Sequence, residues 1–287
     1  MSESKLNLLQ IFLSRSRKYQ QRPALFYKNT QKKYQSISWC EWEFKVRQVC
    51  FALDFLGVRT RDRVGILSEN RPEWTMVDLG VLSLGSILVP VYPTSSCPDL
   101  SYYIKNAGIE IFFVSTREQL ERLRLVLLEN PAIRQVILFE TCDFSHPKVI
   151  SFDVFLKVGL QKQKEEPDFF DKSVEKIQSS DEATIIYTSG TTGPPKGVLL
   201  THGNFVANYI GAKQRIHASE KDTVLSFLPL NHVFERLAGY YFMVFHGAAI
   251  WYAESMQTVA QDMLEARPTI GAAVPRLIKD IFSAFEA

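Results

Sequence analysis

The sequence predicts an α/β fold: layered, parallel-rich sheets with helices on both faces. Three observations carry this expectation. Short, almost wholly apolar segments recur along the chain: RVGILS (63–68), SILVPV (86–91), EIFFVS (110–115) and QVILFE (135–140). They alternate with amphipathic segments of helical period, and strands apolar on both sides belong in a sheet covered on both faces. The 287 residues, 46% of them hydrophobic, suffice for a large core.

Taken in order, Leu6, Leu9, Phe12 and Leu13 mark an N-terminal amphipathic helix. The same segment lacks the basic start, long apolar run and cleavage site of a secretory signal. Ser38 and Glu41 form a capping box, Trp42, Val46, Val49, Leu53 and Leu56 line one helical face, and Gly57 is placed to end the helix. Strand 63–68 leads to a helix from Pro72 to near Gly85, then strand 86–91 and a helix after Pro98. Strand 110–115, a helix from Thr116 with Gln119 three residues on, and strand 135–140 continue the alternation. Between about 160 and 182 the chain turns highly charged, which predicts an exposed connection between a first subdomain, 1–170, and a second, 171–287. Beyond it come TIIYT, GVLLTH, a helix from about 203, TVLSFLP, a helix across 235–246, AAIWYA, a helix from about 256, TIGAAV and a helix beginning near Pro275.

Charge and cysteine usage exclude several functions. The formal charge of +2 comes from 33 basic and 31 acidic residues, so no electrostatic footprint for nucleic acid is expected. Cys40, Cys50, Cys97 and Cys142 form no CxxC pair; buried thiols in a reducing cytosol are expected, with no zinc site. LGVLSLGSILVPVYP (79–93) and LAGYYFMVFHGAAIWYA (237–253) fall short of the roughly 20 apolar residues of a membrane span. Each is expected to be a buried helix followed by a buried strand. A cytoplasmic location follows, with shallow attachment to a membrane surface as the alternative.

Function turns on TSGTTGPPKG (188–197), which carries four hydroxyls, three glycines, two prolines and one lysine between apolar runs. It is not a Walker loop, because Lys196 is followed by Gly197 and a strand instead of by Ser or Thr and a helix; nor is there a GxGxxG. Its glycines allow backbone amides to approach an anion, its hydroxyls can donate to phosphate oxygens, and Lys196 supplies a point charge. By composition alone, a phosphate clamp and a Gly/Pro-rich turn between two strands stand as equal readings.

The order of residues separates them. IIYTSGTTGPPK (185–196) resembles, position by position, the AMP-binding signature of the adenylate-forming superfamily. FLPLNHVFERLAGYYF (227–242), with GAAIWYAES and ARPTIGAAVPRLIKDIF after it, is similar to the long-chain fatty acyl-CoA synthetase branch. DRVGILSENRPEW and GSILVPVYPTSS look like the first part of the same large N-terminal domain.

The resemblance implies a two-step acid–thiol ligase. A carboxylate attacks the α-phosphorus of ATP, giving acyl-AMP and pyrophosphate, and the thiol of coenzyme A then displaces AMP. It also implies that Thr188, Ser189, Gly190, Thr191, Thr192, Gly193, Lys196 and Gly197 hold the β- and γ-phosphates, and that Thr188 is near Mg2+. Lys196 and His232 are the residues implied in the chemistry, His232 at the mouth of the acyl pocket beside the reacting carboxylate. Glu235 and Arg236 are left as a pair with each other or with neighbouring structure, His202 and Asn204 as packing and helix-entry residues. Tyr240, Tyr241, Phe242 and Phe245 are left between core packing and an acyl tunnel. The family's later segments, which bind ribose and magnesium and supply the lysine of the adenylation step, are not found in this sequence. The chain therefore reads as the N-terminal portion of such an enzyme, with little or no activity by itself and the C-terminal region missing or on another chain. An inactive relic or an acyl- or nucleotide-binding module is the alternative, and acyl carrier protein is the rival acceptor.

Overall fold

The computed structural model describes residues 6–127, 129–141, 146–188 and 193–273. Helix α1 (Leu8–Tyr19) opens on a capping box in which Asn7 accepts from the Gln10 amide and Gln10 from that of Asn7. It buries Leu8, Leu9, Ile11, Phe12 and Leu13. Strands β1 (Pro23–Lys28) and β2 (Tyr34–Ser38) form an antiparallel hairpin that the sequence reading did not contain. Helix α2 (Trp39–Phe55) starts at the expected box, the Ser38 amide donating to Glu41 Oε2 at 2.8 Å, and the chain turns away at Gly57, whose φ is +80°.

Strand β3 (Arg63–Leu67), helix α3 (Pro72–Leu82), strand β4 (Ile87–Val91), helix α4 (Cys97–Ala107), strand β5 (Ile109–Val114), helix α5 (Arg117–Leu127) and strand β6 (Gln135–Leu138) follow the expected alternation. A short β7 (Val149–Ser151) comes next. The expected connection at 160–182 is instead largely helical: α6 (Phe152–Glu165) is followed by α7 (Phe169–Lys176). Phe152, Phe155, Leu156 and Gly159 lie on one face at helical spacing, and Gly159 lets α6 approach α2 so closely that a Cβ there would sit 1.9 Å from the Gln48 carbonyl oxygen. α7 buries just Phe170 and Val174. A helix with so few core positions has the composition of a linker, which is why charge content misled.

Strand β8 (Glu182–Thr188) and strand β9 (Lys196–Thr201) precede α8 (His202–Lys213), which opens on a Thr201/Asn204 capping box. Strand β10 (Thr223–Ser226), helix α9 (Val233–Glu235), a π-helical turn over Arg236–Tyr241, helix α10 (Phe242–His246), strand β11 (Ala249–Tyr252) and helix α11 (Val259–Ala266) complete the described chain. Where TIGAAV was expected as a strand there is a single parallel bridge, Val224 to Ile270. The expected helix from near Pro275, and Cys142, lie outside the described residues.

Two sheets result. The larger has the order β7-β6-β5-β3-β4-β8-β9, parallel throughout except for the β8/β9 pair; the smaller has the order β10-β11-β1-β2, parallel except for β1/β2. Strands from both sides of residue 170 lie in each sheet. β4 and β8 are joined by one register pair, Leu88 with Thr184. The principal core, built around Trp39, Trp42, Trp74 and Tyr240, fills the space among α1, α2, α3 and α10. The stretches 79–93 and 237–253 each form helix followed by strand, and no helix among the described residues is long and apolar enough to cross a membrane.

Candidate functional site

β8 carries buried Ala183, Ile186 and Tyr187 out of the sheet and ends on exposed Thr188. The chain returns as β9 with Tyr187 opposite Gly197 and Thr188 opposite Lys196. Directly opposed residues of an antiparallel pair have Cβ atoms about 5 Å apart, so a hydroxyl and an ammonium flank the loop of the TSGTTGPPKG motif. Ser189, Gly190, Thr191 and Thr192 lie outside the described residues. Gly193 has a φ of +90°, a conformation that favours glycine, with nothing within 4 Å of where a Cβ would stand. At Gly197 a Cβ would lie 2.8 Å from Ile185 Cγ2 and 3.4 Å from the Tyr187 ring, so glycine lets those side chains lie across the second strand.

The hairpin is propped by residues that the sequence reading missed. Tyr102 of α4 donates to the Pro195 carbonyl at 3.0 Å, and the Tyr187 hydroxyl donates to Asn106 Oδ1 at 2.6 Å. The rings of Tyr103 and Tyr187 are 4.4 Å apart. Burial, then the neighbouring Tyr102 and Tyr103, push the Tyr187 hydroxyl up to about 12, so it stays a neutral donor. The available signal was the spacing YYxxN, which places two rings and an amide along one flank of a helix beside the sheet.

The second motif meets the sheet at the same end. Asn231 donates to the carbonyl of Val91, three residues beyond the Leu88–Thr184 pair and hence level with Tyr187 on the neighbouring parallel strand. His232 follows, exposed, as the N-cap of α9. Its Nδ1 accepts from the Phe234 amide at 3.2 Å, which assigns the proton of the neutral ring to Nε2 and makes that nitrogen a donor. Thr188 ends β8, Lys196 opens the antiparallel β9 opposite it, and Asn231 ties the His232 turn to the last residue of β4, so all three stand at the sheet edge where the parallel strands have their carboxyl ends and where open α/β sheets bind ligands. No hydrogen bond or ion pair among the described residues joins His232 to Thr188 or Lys196.

Glu235 and Arg236 do not pair with each other. Glu235 is 1% exposed and its Oε1 accepts from Ser226 Oγ at 2.7 Å. Burial raises its pKa to about 8, against a smaller lowering by Ser226. Ser226 accepts in turn from Asn70 at 2.9 Å, and Asn70 also holds Leu228 and Leu230 through their backbones. Arg236, fully buried, makes an ion pair with Asp78 and donates to Thr184 Oγ1 at 2.7 Å. Burial opposes its charge, and Asp78 and Tyr241 outweigh burial. His202 is buried at the start of α8, accepting from the Leu8 amide at 3.4 Å, and burial lowers it to about 4; Asn204 caps the same helix. Tyr240, Tyr241, Phe242 and Phe245 belong to the principal core.

No group of three or more His, Cys, Asp or Glu side chains among the described residues could hold a metal. A single exposed hydroxyl at Thr188 suits Mg2+, which keeps several waters and takes most of its other ligands from substrate phosphates.

The AMP-binding enzyme family profile matches residues 12–287. The chain belongs to that family. Among curated proteins it is 34% identical over 236 residues to the peroxisomal long chain acyl-CoA synthetase 6 of Arabidopsis thaliana, covering 79% of this chain and 32% of that protein. It is 27% identical over 285 residues to the long-chain-fatty-acid–CoA ligase ACSBG2 of Mus musculus, covering 96% of this chain and 42% of that protein. The chain therefore spans about a third to two fifths of the length of these relatives. Among solved structures, the anthranilate CoA ligase AuaEII in complex with anthranoyl-AMP superposes with a TM-score of 0.82 at 20% identity, over 94% of this chain and 51% of that one. The Mycobacterium tuberculosis fatty acyl CoA synthetase does so with a TM-score of 0.77 at 20% identity, over 95% and 50%. The α/β fold of the AMP-binding enzymes is thereby shown for this chain.

Proposed function

We propose that the protein carrying this chain is an ATP-dependent fatty acid:CoA ligase. It would activate a long-chain fatty acid as acyl-AMP and transfer the acyl group to coenzyme A. The observation that carries the reading is the convergence of two motifs at one sheet end: Thr188 and Lys196 flank one loop, and Asn231 anchors the His232 turn level with Tyr187.

A carboxylate is a poor electrophile, and adenylation removes its charge and installs a good leaving group. Residues 188–197 would grip the β- and γ-phosphates, with Lys196 stabilising charge on the departing pyrophosphate. Mg2+, held by Thr188 and the phosphates, would neutralise part of their charge when bound. The Nε2–H of His232 would orient the fatty acid carboxylate towards the α-phosphorus. Substrates on this reading are the fatty acid, ATP and coenzyme A, in the cytoplasm.

The test is fatty-acid-dependent exchange of labelled pyrophosphate into ATP. We expect exchange that rises with added long-chain acid and vanishes without it, in the protein that carries this chain. Exchange indifferent to the acid, or no exchange with any acid, would sink the proposal.

A further inference from the structure

We infer that Arg236 is a positioning residue that couples the phosphate hairpin to the His232 turn, an inference that rests on the functional reading above. Its guanidinium touches three elements at once. One Nη donates to Thr184 Oγ1 at 2.7 Å, inside β8. The other pairs with Asp78 of α3 and donates to Tyr241 at 3.3 Å, while the Tyr241 hydroxyl donates to the second Asp78 oxygen at 2.6 Å. The plane is enclosed by rings: Trp74 at 5.3 Å, Phe205 at 5.5 Å and Tyr241 at 5.6 Å. Arg236, Asp78 and Thr184 are each 0% exposed.

Position makes this more than a core ion pair. Thr184 is four residues before Thr188 on one strand, and Arg236 is four residues after His232 on one helical run. The β4/β8 seam is also where the larger sheet is least well joined, by one register pair. There the Thr184 hydroxyl donates to the Leu88 carbonyl at 2.7 Å while accepting from Arg236. Thr184 thus ties Arg236 to the seam through a chain of hydrogen bonds that strengthen one another. The π-helical turn at Arg236–Tyr241 adds a residue to one turn and brings Arg236 and Tyr241 to the same carboxylate. Lysine cannot replace this arrangement, because it lacks the planar fork that reaches Asp78 and Thr184 together.

Hydrogen exchange on the 287-residue chain tests the coupling without reference to catalysis. Thr184→Val, nearly isosteric, removes the β8 end of the link and leaves the ion pair intact. We expect amide exchange to accelerate by about tenfold both in 185–188 and in 230–234, while Phe112 and Val136 in β5 and β6 stay unchanged. Arg236→Lys should give the same two-segment pattern, and the double variant should add little to either single one. Acceleration confined to 185–188, acceleration spread equally to β5 and β6, or simple additivity would overturn the coupling. In the catalytically active protein, Thr184→Val should raise KM for ATP and for the acid together. A wild type without acid-dependent exchange would refute the functional reading and leave the hydrogen-exchange result to decide the coupling.

Discussion

The β8/β9 hairpin and the HVFER turn stand side by side at one end of a sheet, yet they are built on opposite physical plans. The hairpin is an edge: Lys196, Gly197, Val198 and Leu199 are exposed, and a Cβ at Gly193 would meet nothing within 4 Å beyond its chain neighbours. The turn exposes His232, Val233 and Phe234 but is anchored in the interior: Glu235 and Arg236 are at most 1% exposed, and each is tied to a different partner. The comparison teaches that Thr188 and Lys196, which on the proposed reading would meet a charged ligand, make no side-chain hydrogen bond or ion pair among the described residues, while the placement of His232, whose ring caps its own turn, is delegated to buried neighbours. Substitutions should therefore separate: interior changes should cost stability, edge changes should cost function alone.

The largest effect is expected from Asp78→Ala. It leaves Arg236 buried without its counter-charge, and breaking a buried ion pair from one side typically costs about 3–5 kcal/mol. A denaturant midpoint shifted by that amount at unchanged slope would support the division. A loss no greater than that of a surface substitution would mean that water reaches the guanidinium and that the turn is not anchored in the interior.

Much of this was legible in the sequence, and the losses have physical causes. Strands β3 to β6 and the capping box at Ser38 could be read because burial on both faces and a two-residue exchange of hydrogen bonds each leave a local pattern. The β1/β2 hairpin escaped because its second strand, YQSIS, is half exposed and has few apolar residues. For α6 and α7, charge on the outer face hid a narrow apolar stripe. In the candidate site, the ordered TSGTTGPPKG pattern singled out Thr188, Lys196 and Gly197 as candidates, whereas Tyr102, Asp78 and Thr184 act through contacts 52 to 158 residues away along the chain. Sequence order alone cannot report such contacts. The open question about Glu235 and Arg236 was of the same kind, since adjacent residues on a helix point apart.

A smaller effect, and a sharper test of the interior, comes from pH. Glu235 holds a proton in the folded state up to about 8, whereas the unfolded carboxyl releases it near 4.3. Its contribution to stability is therefore complete at low pH and is lost as pH rises through about 8. His202 works in the other direction: the unfolded imidazole binds a proton near 6.5, the buried one not until about 4, so its contribution is lost as pH falls. Between about 4.3 and 6.5 the two slopes oppose each other, and from about 6.5 to 8 that of Glu235 stands alone. Unfolding free energy should fall across that upper window by up to about 1.4 kcal/mol per pH unit, and Glu235→Gln, which keeps an acceptor for Ser226, should flatten the slope. An identical slope in the variant would show that Glu235 is ionised in the fold, and the contrast with the exposed hairpin would fail at that residue.

The smallest structural effect should belong to Lys196→Ala, and that is what makes it the sharpest test of the edge. Lys196 is exposed at the first position of β9, opposite Thr188, and none of the described hydrogen bonds or ion pairs uses its ammonium. Removing it takes no partner from the fold, so the unfolding midpoint should not move, and amide exchange in β8 should stay as in the wild type. Acid-dependent pyrophosphate exchange, by contrast, should drop on the order of a hundredfold, as when a donor to a developing anion is removed from other active sites. A reduced rate with an unmoved midpoint would place the lysine's role in the ligand alone. An unchanged rate would remove the phosphate role from Lys196, and a shifted midpoint would show that the hairpin relies on its lysine for structure, erasing the division between edge and interior at its most exposed residue.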